Sequence, residues 1–112
     1  MIVNVNENAL DRIIKKSKTI EGRVFDGFFK KNYHKLQPDT QIIFTSRNTN
    51  KYIHCYIKRV TKYNSLNDYL NNENIKNIAP MEKHELIEHY KSLYQYKNRY
   101  KLPFIAIEIS SF

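Results

Sequence analysis

Apolar positions recur along the chain with two periods, and the alternation between them predicts a mixed fold. Ile2, Val3 and Val5 read as a short strand. Asn6 or Asn8 can cap the helix that follows, because a short polar side chain accepts from free backbone N–H groups. Leu10, Ile13 and Ile14 share one helical face, and Lys15 and Lys16 place positive charge in the last turn. This helix is expected to end near Ser17. From Thr19 to Phe25, Ile20, Gly22 and Val24 alternate with Thr19, Glu21 and Arg23, which is a strand pattern. Phe25, Phe28 and Phe29 are expected to anchor the next turn in the core. Leu36-Gln37-Pro38-Asp39 reads as a turn, and Gln41 to Ser46 as a buried strand around Ile42, Ile43 and Phe44.

After the polar loop Arg47–Asn50 comes the clearest strand, Tyr52 to Tyr63. Ile53, Cys55 and Ile57 face one way; Tyr52, His54, Tyr56 and Lys58 face the other. Val60 falls on the wrong parity, so a bulge is expected near Lys58-Arg59. Ser65 can cap a short helix through Leu66, Tyr69 and Leu70, and a further turn carries Ile75 and Ile78 before Pro80. Glu82 to Tyr96 is the longest predicted helix, with Leu86, Ile87, Tyr90, Leu93 and Tyr94 along one face. Tyr94 to Lys101 is basic and aromatic and reads as a loop rim. Phe104 to Ile109 closes the chain as a strand. The order points to an α+β domain built on a small, mainly antiparallel β-barrel or curved sheet.

Length and charge narrow the function classes. With 112 residues and no linker, the chain is expected to form one domain over 1–112. The 19 Lys+Arg against 11 Asp+Glu leave a formal charge of +8, which suggests an anionic partner such as nucleic acid. Asn, Lys, Ile and Tyr make up nearly half the chain, and all have A/T-rich codons. Genome composition, of a virus or low-GC microbe, is therefore a second source of the lysines. No apolar run is long enough to span a membrane, and no signal-peptide core opens the chain. Cys55 is the single cysteine, so an internal disulfide is excluded and an intracellular location is expected. No cofactor or metal is expected: the histidines have no metal-ligand spacing, and the 2 glycines form no phosphate loop. Cys55 and His54 are neighbours on a strand, so they point to opposite faces and cannot form a nucleophile pair.

The run Lys18-Thr19-Ile20-Glu21-Gly22-Arg23, placed directly after an amphipathic helix, resembles the signature of the ASCH domain family of the PUA-like superfamily. In order along the chain, Leu36-Gln37-Pro38-Asp39 before Ile42-Ile43-Phe44, the strand ending Arg59-Val60-Thr61-Lys62-Tyr63, Ser65–Leu70, Ile78-Ala79-Pro80 and the last helix and strand fit as well. Two glycines usual in the family stand here as Lys16 and Pro38. The resemblance implies a six-stranded PUA-like barrel flanked by helices, with a cleft beside the first helix lined by the motif residues. It also implies binding of RNA or a modified nucleoside. Some small members hydrolyse N4-acetylcytidine as amidohydrolases, using a lysine, a threonine and a glutamate. Lys18 takes the place of that lysine, and Glu21 stands where the threonine falls.

Three chemistries fit these residues. Glu21 and Arg23 share strand parity, so a carboxylate held ionised by a guanidinium can accept from an exocyclic amine of a base, with Arg23 taking a phosphate or carbonyl. Lys18 in a dry cleft, with Glu21 as general base and Thr19 nearby, is the catalytic alternative; Glu73 and Glu82 are the acidic residues flanking the region where the enzymes carry theirs. The third is an ion pair that staples helix to sheet in a protein acting only as a scaffold. On the long strand, Tyr52 and Tyr56 beside Lys58 and Arg59 offer ring faces for bases and charge for phosphates. Tyrosines covering the outer face of a small barrel would look the same.

Overall fold

The computed structural model describes residues 1–112. Its strands are β1 (Ile2–Asn4), β2 (Ile20–Val24), β3 (Gln41–Thr45), β4 (Tyr52–Tyr63) and β5 (Phe104–Ser111). Helix α1 (Glu7–Ile14) joins β1 to β2, and α2 (Gly27–Lys31) follows β2. Helices α3 (Leu66–Asn72), α4 (Ile75–Ile78) and α5 (Lys83–Leu93) lie between β4 and β5. The sheet order is β1-β3-β4-β5-β2, with β1 parallel to β3 and every other pair antiparallel. Five strands are present where six were expected. They curl into a half-barrel whose edge strands, β1 and β2, do not pair.

Local chemistry sets most element ends. The Asn6 side chain accepts from the Ala9 N–H and starts α1. The helix stops at Ile14, short of Ser17, because Lys16 turns into the left-handed region with φ 65°. The Lys16 N–H then donates to Ile13 and the Ser17 N–H to Arg12, closing a Schellman turn. Ser65 caps α3 by accepting from the Asp68 N–H. Glu82 and Glu85 form a capping box on α5. The β4 bulge falls between Ile57 and Arg59, leaving Lys58 without a partner on β5.

Two apolar clusters meet on β5. Ile105, Ile107 and Ile109 pack with Leu10, Ile13, Phe44, Cys55 and Ile57 inside the curl. Phe104 and Ala106, on the opposite face, pack with Ile20, Tyr69, Leu86 and Tyr90 under α3 and α5. β5 is buried on both faces, as its near-continuous apolar run requires. Three expected core residues differ. Ile14 is half exposed at the end of α1, and Phe28 and Leu93 are 49 % and 60 % exposed. Helix α5 ends at Leu93, and the chain turns through left-handed Lys97 and Asn98 before β5.

Candidate functional site

The seam between β1 and β2 opens into a cleft of about 1060 Å³, lined by both edge strands, α1, α5 and the β3–β4 loop. The Schellman turn aims Lys18 into its floor, since the Lys18 N–H also donates to the Arg12 carbonyl. Lys18 is 5 % exposed. Its Nζ donates to the carbonyls of Ile20 at 2.7 Å and Ile78 at 2.9 Å, and lies 3.4 Å from Glu21 Oε1. Glu21 Oε2 accepts from Arg23 Nε at 3.1 Å and Nη2 at 2.8 Å. Arg23 lies over the Phe29 ring, and its Nη2 also donates to the Asn4 carbonyl at 2.7 Å. One carboxylate is therefore shared by two cations that tie β2 to α4 and β1.

Electrostatics follow from burial and pairing. Burial works against the Glu21 carboxylate, but Lys18 and Arg23 outweigh it and hold the carboxyl below its ordinary range. Burial pushes the Lys18 ammonium down, opposed by Glu21 and reinforced by the positive charge of Arg12. Three acceptors around Nζ match the three donors of an ammonium.

Gly22 lets β2 carry this set. A Cβ at Gly22 would lie 2.1 Å from the Tyr69 hydroxyl oxygen and 2.4 Å from Tyr69 Cζ. Any other residue would displace the ring that stacks on Phe104 and bonds to the Tyr90 hydroxyl.

The structure brings Lys18, Glu21 and Arg23 together and puts the other candidate residues elsewhere. Thr19 and Lys58 line a second, smaller hollow of about 190 Å³ on the other side of Lys18. Tyr52 and Tyr56 lie on the outer face of β4, where Tyr56 packs on Phe112 at 4.2 Å and Tyr52 on His54. Arg59 grips Glu73 through two 2.8 Å bonds, Glu108 at 2.9 Å and Thr61 at 2.6 Å. Glu73 also accepts from the Tyr63 hydroxyl and does not line the cleft. Sequence reasoning passed over Arg12 and Arg47, which line the cleft from α1 and the β3–β4 loop. Nothing in local patterning marks either one, since both sit in segments that read as solvated. The rim is partly apolar: Ile2, Phe28, Met81 and Leu93 are all substantially exposed and all line it.

No helix is long and apolar enough to cross a membrane. A search of the curated proteins found no match. Solved structures share the fold. The crystal structure of the hypothetical protein PH0355 superposes with a TM-score of 0.76 at 23 % identity, covering 99 % of this chain and 97 % of that one. The solution structure of protein PF0455 from Pyrococcus furiosus gives 0.68 at 24 % identity, covering 99 % and 96 %. An ASCH domain from Lactobacillus crispatus gives 0.66 at 10 % identity, covering 98 % and 79 %. The family model of the ASCH domain matches residues 3–110, nearly the whole chain, and on that match together with this PUA-like fold the protein belongs to the ASCH domain family.

Proposed function

We propose that the seam cleft binds RNA or a modified nucleoside, with Lys18, Glu21 and Arg23 as its floor. The family is generally thought to bind RNA. The observation that carries the reading is the charge of the lining. Arg12, Lys18, Arg23 and Arg47 contribute to it, Arg99 is neutralised by Asp26, and Glu21 is the single carboxylate of the lining. Such a concentration of cations in a concave site attracts phosphate. The exposed apolar rim suits the planar face of a base, which needs an apolar wall as well as polar contacts. Tyr52, Tyr56 and Lys58 add a separate outer surface on which a longer strand can continue, with Thr19 in the smaller hollow between it and Lys18.

Deacetylation of N4-acetylcytidine has less geometric support. Lys18 is enclosed by three acceptors, both oxygens of Glu21 face cations, and no second carboxylate lines the cleft. Lys18 and Arg23 hold the Glu21 carboxyl below its ordinary range, which makes it a weak general base.

Fluorescence anisotropy with a short labelled single-stranded RNA tests the reading. Affinity is expected to fall steeply as salt rises, and Arg23→Gln to weaken it. Absence of RNA binding at low salt overturns the proposal. Release of cytidine from N4-acetylcytidine, lost in Lys18→Ala, would replace it with the hydrolase reading.

A further inference from the structure

Arg12 stands apart from every other cation of the cleft floor. Lys18 and Arg23 share Glu21 and also donate to backbone carbonyls. Arg12 takes part in none of the ion pairs of the structure. Its Nε is buried and has no hydrogen-bond partner, the one such side-chain atom in the chain. Buried donors without partners are rare in folded proteins, because each keeps the full desolvation penalty. The charge balance repeats the point. Three cations on one carboxylate leave two positive charges uncompensated, near enough that Arg12 destabilises the charged form of Lys18.

The backbone holds Arg12 in place. Its carbonyl accepts both the Ser17 and Lys18 N–H groups, so the turn that delivers Lys18 also fixes the root of Arg12. The guanidinium is thus positioned in the cleft while its donors stay free. A planar guanidinium with free donors matches two oxygens of a phosphoryl group. Arg47, exposed at the rim of the same cleft, supplies a second cation on the approach.

We infer that Arg12 is a phosphate-binding element of the cleft, so that its ligand is a phosphorylated nucleotide or an RNA segment rather than a free nucleoside. This deepens the reading of the cleft as an RNA or nucleoside site and rests on it for the identity of the ligand. Lys18, Glu21 and Arg23 form a preorganised floor for the base or sugar, and Arg12 takes the phosphoryl oxygens. Binding through the outer nitrogens of the guanidinium neutralises the excess charge that Arg12 places beside Lys18.

The test uses the full chain, inorganic phosphate, and an eight-nucleotide single-stranded RNA with and without a 5′-phosphate. Phosphate is expected to raise the melting temperature of the wild type and to compete with RNA. Arg12→Gln abolishes the phosphate-dependent rise and weakens RNA binding about tenfold at low salt. Arg12→Lys, which keeps the charge and loses the fork, recovers only part of both. If Arg12→Gln does not fold, Arg12→Lys and Arg12→Met provide the comparison. A 5′-phosphate that tightens binding in the wild type alone identifies a terminal monoester; equal affinities identify an internal diester. An equal phosphate response in wild type and Arg12→Gln, or no response in either, overturns the assignment even if RNA still binds. No RNA binding, with a phosphate response that Arg12→Gln abolishes, refutes the RNA reading and upholds the phosphate site.

Discussion

Arg23 on β2 donates to the Asn4 carbonyl on β1 at 2.7 Å, across the one place where the curled sheet does not close. The same guanidinium holds Glu21 through two bonds, so the contact that bridges the seam is also part of the cleft floor. Edge strands normally leave unpaired backbone groups that must be covered or bonded. Here a side chain satisfies one of them, and the gap left around it is the cleft.

Arg23→Ala is therefore expected to destabilise the fold by about 3 kcal/mol, since it leaves the buried Glu21 with Lys18 as its only cation. Glu21→Gln leaves Lys18 and Arg23 without a counter-ion and also destabilises. The double variant should cost less than the sum of the two, because each single change strands the other partner. Urea denaturation of the four proteins measures the coupling. Additive costs would mean that the pair contributes nothing as a pair.

The elements of this fold were largely legible because each has a local cause. The alternation from Tyr52 to Tyr63 gave β4 its bounds, and the parity of Val60 gave the bulge. Asn6 and Ser65 cap helices where short polar side chains precede an apolar run. The trio Lys18, Glu21 and Arg23 was legible through the family motif. Periodicity failed where it was asked for burial. Leu93 keeps the spacing of Leu86 and Tyr90, and Phe28 neighbours buried Phe29, but the space beneath both is the cleft. A period marks which side chains share a face, not whether anything packs on it. Pairings across long sequence separation were equally silent. Arg59 reads as a free cation on a strand until Glu73 and Glu108 arrive from elements far along the chain. Arg12 was missed for the converse reason: a helix arginine ordinarily pairs with an acid or points wholly into solvent, and this one is half-buried along the cleft with no acid beside it.

Lys16 offers a test of backbone strain. It occupies the left-handed position of the Schellman turn, with φ 65°, where the family usually has glycine. A side chain there costs roughly 1–2 kcal/mol, partly offset by the greater freedom of an unfolded glycine. Lys16→Gly should raise stability by about 0.5–1 kcal/mol, a few degrees in Tm for a domain of this size. Lys15→Gly, one residue earlier at φ −77°, should lower it. If Lys16→Gly fails to stabilise, the turn is not strained.

Acid should unfold the protein partly through two carboxylates. Burial opposes ionisation of both Glu21 and Glu73. Lys18 and Arg23 overcome it for Glu21, and bonds from Arg59 and Tyr63 overcome it for Glu73, so both carboxyls titrate below their ordinary range. A carboxyl whose folded pKa lies below its unfolded value stabilises the fold above the unfolded value. That contribution is lost as pH falls through the folded pKa. Stability measured by urea midpoints should thus hold near neutrality and decline from about pH 5 downward. Glu21→Gln and Glu73→Gln should each start lower at pH 7 and flatten this decline, because a glutamine has no proton to take up. The two effects should add, since the residues belong to separate ion clusters. A Glu21→Gln profile parallel to the wild type would show that Lys18 and Arg23 do not hold this carboxylate ionised, and the charged floor of the cleft would have to be redrawn.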